Sequence, residues 1–252
     1  MSDILDSQQG PQKKVKGIVD IVFLMDATGS MQPCIDALRD NVKMFIEELT
    51  AGANNQSLVK EWRAKVVGYR DFLFDSEPIV DNPFTDDSAV LAAQLGALVA
   101  EGGGDEPESL LEGIYHVAEK MGETGKEDPL SPEKWRARNT GARAIIVFTD
   151  ATYHEKMEEP KGGGFDEVKN AITRNKLILQ IYAPEEMDCH AALSRINKAA
   201  YYEYPYDETL EDGPAKGLEK FTSDTETFRA ALLALAATIS ASADEETPTP
   251  VL

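Results

Sequence analysis

Five consecutive residues, Asp26-Ala27-Thr28-Gly29-Ser30, put a carboxylate and two hydroxyls at alternating positions of one short stretch. Oxygen donors so spaced suit a hard divalent cation such as Mg²⁺ or Mn²⁺, with Ca²⁺ a poorer match. The plainer reading is a helix cap, since Asp, Thr and Ser all favour helix starts and Ser30 is well placed for one. A cap, however, requires neither a carboxylate nor two hydroxyls in alternation.

The flanking residues decide how such a loop would be held. Ile18 to Met25 is almost unbroken apolar and β-branched, as in a strand covered on both faces. Beyond the loop, Met31, Ile35, Leu38, Val42, Ile46 and Leu49 recur at helical spacing. Further strands are predicted over 62–69, 143–149, 176–182 and 200–204, and helices over 87–99, 106–121, 164–174, 188–198 and 222–240. Strand and helix alternate, which predicts an α/β fold: a doubly wound, mostly parallel sheet with helices on both faces. Ligands of such sheets bind at the carboxyl ends of the strands. Asp26 ends the first strand and Asp150 the strand over 143–149, so both fall on that edge. The stretch 122–140 reads as one long loop.

The segment from Val19 to Met31 resembles the first loop of the metal-ion-dependent adhesion site of von Willebrand factor A domains, usually written Asp-x-Ser-x-Ser, with Thr28 in place of the first serine. The Asp-Ala-Thr-Gly-Ser-Met form is similar to bacterial and protist members. Two further stretches fit the resemblance. Gly102-Gly103-Gly104-Asp105-Glu106-Pro107-Glu108 is similar to the Asp-x-Pro-Glu loop of integrin β-type A domains, and Ile145 to Ala151 matches an apolar strand ending in Thr-Asp. The resemblance implies a cation held by Asp26, Thr28, Ser30, Glu108 and Asp150, with Asp105 serving an adjacent metal. It also implies a non-enzymatic module that engages a partner protein through a carboxylate completing the metal's shell, the partner being an ATPase, a kinase or a larger complex.

Asp26, Glu108 and Asp150 together carry −3 against the +2 of the cation. Gripping an acidic partner then requires one carboxylate to withdraw, and the resemblance couples such a change to sliding of the last helix. A different chemistry is the alternative: Asp-Ala-Thr-Gly-Ser also looks like the nucleophile loop of Mg²⁺-dependent aspartyl-phosphate enzymes, with Asp26 phosphorylated and Thr149 as a second hydroxyl. That reading expects a paired Asp cluster and a lysine, neither of which the sequence identifies.

Composition limits the partners. With 25 Lys and Arg against 45 Asp and Glu the formal charge is −20, which repels nucleic acid and acidic membranes. No apolar run reaches the roughly 20 residues of a membrane span, and the polar start lacks a signal peptide's apolar stretch, so a cytoplasmic location is expected. Residues 1–17 read as a flexible arm, 18–240 as the folded domain and 241–252 as an acidic flexible tail. Cys34 and Cys189 fit no zinc pattern and read as two reduced thiols, with a single bridge left open. Gly102 to Gly104 and Gly162 to Gly164 lack the Gly-Lys-Ser/Thr of a phosphate loop. His116 and His190 read as surface or boundary residues, and His154, four residues past Asp150, as a candidate for partner contact. Arg70 and Asp71 read as a local ion pair or as support for the metal loop.

Overall fold

The computed structural model describes residues 17–51, 59–102, 106–210 and 212–244. Asp105 and most of the predicted N-terminal arm lie outside them, as does the predicted tail 241–252 beyond residue 244, while its first residues, 241–244, continue the last helix instead of forming a flexible tail. The described elements are β1 (Ile18–Asp26), α1 (Gln32–Ala51), β2 (Glu61–Tyr69), β3 (Ile79–Asp81), α2 (Ser88–Ala97), α3 (Leu110–Tyr115), β4 (Ala142–Phe148), α4 (Phe165–Asn175), β5 (Ile178–Pro184), α5 (Asp188–Leu193), β6 (Ala199–Tyr204), α6 (Gly213–Ser223) and α7 (Thr225–Asp244). A single 3₁₀ turn, Gly29–Met31, leads into α1, and α3 widens into a π turn over His116–Lys120.

The sheet runs in the order β3-β2-β1-β4-β5-β6. Five strands are parallel, and β3 pairs antiparallel with β2 at the edge. Alternation along β1 splits its side chains between two cores. Ile21, Phe23 and Met25 pack beneath α1, α2, α6 and α7, whereas Val22 and Leu24 pack beneath α3 and α4. Helices thus cover both faces, and all but the first residue of β1 are buried. The chain leaves β1 toward β2 on one side and reaches β4 on the other, so the strand order reverses between β1 and β4. At such a reversal the loops leave a crevice at the carboxyl ends of the strands. The Asp26 loop and Asp150 stand at that crevice, since β1 pairs with β4 up to Met25 opposite Phe148.

Several elements differ from the sequence expectation. The helix expected over 106–121 begins only at Leu110, because Glu108 is bridged to the loop after β4: its amide donates to the Thr152 carbonyl (2.9 Å) and the His154 amide donates to its carbonyl (3.1 Å). Three-residue β3 is too short to announce itself by periodicity. The helix expected over 222–240 is α7, which starts at Thr225 after Asp224, whose side chain accepts from Thr227, and runs on to Asp244; α6 before it was not expected. The helix expected over 188–198 stops at Leu193. Cys34 and Cys189 are free thiols, and no helix among the described residues is long and apolar enough to cross a membrane.

Candidate metal centre

Asp26 is the last residue of β1, fully buried, and its two oxygens accept from three different elements. Oδ1 accepts from the Thr28 amide (3.0 Å) and the Thr28 hydroxyl (2.7 Å); Oδ2 accepts from the Thr149 hydroxyl at the end of β4 (2.9 Å) and the Tyr69 hydroxyl at the end of β2 (3.3 Å). The loop backbone is pinned as well: the Ala27 amide donates to the Tyr69 carbonyl, the Glu101 amide to the Ala27 carbonyl, and the Met31 amide to the Thr28 carbonyl. Gly113 on α3 lets that helix lie against Tyr69, where a Cβ would sit 3.1 Å from the ring. Burial pushes the Asp26 carboxyl above its ordinary pKa, and the hydroxyl and amide donors only partly offset this.

Two further carboxylates face this one. Asp150, just past β4, is 6% exposed; burial and the charge of Asp26 raise its pKa to about 7, against a stabilising hydrogen bond from Ser30. Glu108 is raised to about 8 by burial first, then by the charges of Asp26, Asp71 and Asp150. One oxygen of each, Asp150 Oδ2 and Glu108 Oε2, is buried without a hydrogen-bond partner. Orphaned buried oxygens are costly, and a bound ion or a proton relieves that cost. Among the described residues no lysine or arginine pairs with Asp26, Asp150 or Glu108.

The residues singled out from the sequence are thus largely brought together: Asp26 with Thr28 by hydrogen bonds, Ser30 with Asp150, and Glu108 within the electrostatic reach of both acids. Every donor is an oxygen, which fits Mg²⁺ or Mn²⁺. Among the described residues no three His, Cys, Asp or Glu side chains form a ready cage, so a cation here would lean on the Thr28, Ser30 and Thr149 hydroxyls as much as on carboxylates.

One contributor, Tyr69, escaped the sequence reading. Tyr69 stands directly opposite Asp26 in the β1–β2 register, a relation that requires the strand pairing and not only the strands. Asp71 is fully buried; one oxygen caps the Leu73 amide (2.7 Å), the other has no partner, and its charge contributes to the raised Glu108. The expected Arg70–Asp71 pair is replaced by Arg70 with Glu101 (3.4 Å) and with the Val99 carbonyl. His154 meets Glu108 through its backbone amide, and its side-chain Nε2 is buried without a partner.

His190 is fully buried, a correction to the surface reading. Its Nε2 donates to the Ala151 carbonyl (3.0 Å) next to Asp150, between the rings of Tyr153 and Tyr201. Burial lowers its pKa from 6.5 to about 4, so the folded state binds the proton more weakly than the unfolded chain. Its contribution is fully present above pH 6.5 and disappears as pH falls through 6.5 toward 4, by about 2–3 kcal/mol. Urea titrations between pH 7.5 and 4.5 should show a shallower acid loss in His190→Gln than in the parent; equal slopes would refute this assignment.

Among solved structures, the pilus adhesin SpaC from Lactobacillus rhamnosus GG aligns at 9% identity and a TM-score of 0.48, over 89% of this chain and 32% of its own. Proximal thread matrix protein 1 from the mussel byssus aligns at 14% identity and 0.46, over 90% and 49%. The chain therefore spans about a third to a half of the length of these two. No curated protein matches it. A family model described as the von Willebrand factor A domain matches residues 20–125, less than half of the chain but including Asp26, Thr28, Ser30 and Glu108, and the observed α/β sheet is consistent with the fold of that family.

Proposed function

We propose that this chain is a protein-interaction module that holds Mg²⁺ or Mn²⁺ at the crevice between β1 and β4 and uses it to engage a carboxylate of a partner protein. The observation that carries this reading is the oxygen-only cluster of Asp26, Thr28, Ser30, Glu108, Thr149 and Asp150, with buried carboxylate oxygens that no protein donor satisfies. A bound cation would supply the positive charge that this cluster lacks. The chain's own residues do the rest: Tyr69 and Thr149 fix the Asp26 carboxylate, Ser30 steadies Asp150, and the Thr152 and His154 backbone hold Glu108 in place.

The surface beside the crevice fits a docking role. Leu73 and Phe74, in the turn after β2, and Val99, after α2, are 52%, 63% and 53% exposed. Arg70 ties the two segments together through the Val99 carbonyl. Exposed apolar side chains gathered beside a polar centre are a common feature of protein contact sites. Phosphoryl transfer from Asp26 has less support, because Asp26 has hydroxyl neighbours and no cationic group on it.

Calorimetric titration of Mg²⁺, Mn²⁺ and Ca²⁺ is expected to show one site in the parent, with Ca²⁺ weakest, and no detectable heat of binding in Asp26→Ala. Undetectable binding in the parent would leave a metal-free scaffold. Asp26-dependent turnover of a generic phosphoester, or fluoroberyllate trapping at Asp26, would instead establish the enzyme.

A further inference from the structure

A cavity of about 960 Å³ opens beside the candidate metal centre, within the size range of sites that enclose a side chain or small ligand. The two are joined through Glu106 and Thr152. Thr152 lines the cavity, and both its amide (3.0 Å) and its hydroxyl (3.1 Å) donate to Glu106, whose charge reaches Asp150.

The chemistry of the lining is one-sided. Tyr153, Phe165 and Tyr206 supply aromatic wall, and Tyr153 is fixed by its hydroxyl bond to the Cys189 carbonyl (2.7 Å). Glu155, Asp166, Glu186 and Asp188 also line it, and none is engaged by a cation among the described residues; Lys156 is the one basic side chain in the lining. Glu167 is different, since it caps its own helix through the Gly164 amide (2.8 Å). The Tyr206 phenol registers the surrounding field: after desolvation, Glu208, Glu186, Glu106 and Glu185 each push its pKa up.

The acids lie too far apart to act as a metal cage, for no three of them converge among the described residues. A negative, aromatic-walled cavity with dispersed carboxylates instead matches a flat cation whose charge and donors are spread out. A guanidinium stacks on aromatic faces and offers donors in several directions, whereas an ammonium concentrates its charge at one point. We propose that this cavity receives an arginine side chain of the partner protein, placed among Tyr153, Phe165 and Tyr206 and facing the carboxylates of Glu155, Asp166, Glu186 and Asp188. The inference rests on reading this edge as the partner-binding face, and it adds a basic residue to the carboxylate that the partner would present at the metal.

The test follows amide shifts of the ¹⁵N-labelled full chain, in chelator, as capped arginine (N-acetyl-arginine methylamide) is added, with the neutral citrulline analogue as comparison. Saturable shifts confined to the cavity amides, and absent with citrulline, are expected. The double variant E186Q/D188N should weaken binding about fivefold, while E219Q/E226Q, the same charge change on α6 and α7, should stay within about twofold. Equal weakening by both pairs, shifts spread over the acidic surface, equal shifts with citrulline, or no saturable shift at the cavity would each overturn the inference. Chelator keeps the two readings separable. Cation binding without arginine binding overturns only this one, and arginine binding without cation binding overturns only the metal.

Discussion

Replacing Asp20 with alanine is expected to destabilise the protein by about 3–5 kcal/mol, the cost of leaving buried charge without its partner. Asp20 is 1% exposed and takes a two-pronged contact from Arg63, Nε to Oδ1 at 3.1 Å and Nη2 to Oδ2 at 2.6 Å. Arg136 approaches the same carboxylate with its amide (2.8 Å) and its guanidinium (3.1 Å). Both arginines are themselves buried, and Arg63 lies over the Phe84 ring at 4.5 Å while donating to the carbonyls of Leu130, Ser131 and Lys134. One carboxylate on β1 therefore anchors the long irregular segment after α3 to the sheet. Asp20→Asn keeps the shape and some hydrogen bonds, so its loss should be distinctly smaller, about half. Urea unfolding at pH 7 measures both. A loss below about 1 kcal/mol for the alanine variant would mean that water reaches the two guanidiniums and that the segment is held by its apolar contacts, Trp135 foremost.

That network also shows what the sequence could and could not reveal. The parallel core strands were legible because β1, β4 and β5 are buried on both faces and hence nearly all apolar. The Asp26 loop was legible because its ligand-type residues are adjacent in sequence. Asp20 was not, although it interrupts an apolar strand, since its meaning lies in Arg63 and Arg136, 43 and 116 residues away. Tyr69 was hidden for the same reason, its contact with Asp26 being set by strand register. The boundary at Leu110 was not legible because it is set by the backbone bonds of Glu108 to Thr152 and His154, both well downstream in the chain. His190 was misread because its neighbours on α5 are mixed in polarity, and its burial comes from Tyr153 and Tyr201.

Glu108→Gln should separate stability from cation binding more sharply than any other single change. Glu108 faces Asp26, Asp71 and Asp150, and its pKa near 8 reflects first its burial and then that repulsion. Removing one charge from a buried cluster of one sign, at nearly constant volume, is expected to stabilise the cation-free protein by about 1–2 kcal/mol at pH 8. The same change withdraws a charged oxygen from the proposed site, so Mg²⁺ or Mn²⁺ affinity should fall by at least about tenfold. In chelator the variant should therefore melt above the parent, whereas saturating cation should narrow that gap, and reverse it once affinity has fallen by more than about thirtyfold, because ligand binding to the native state adds stability as the logarithm of affinity. On the metal reading proposed above, such a self-repelling cluster is one that a bound positive charge would relieve. If the variant melts below the parent in chelator, the repulsion account fails. If it melts above the parent in both conditions and binds cation as tightly, Glu108 belongs to the surroundings of the centre and the cation is held by Asp26, Asp150 and the hydroxyls alone.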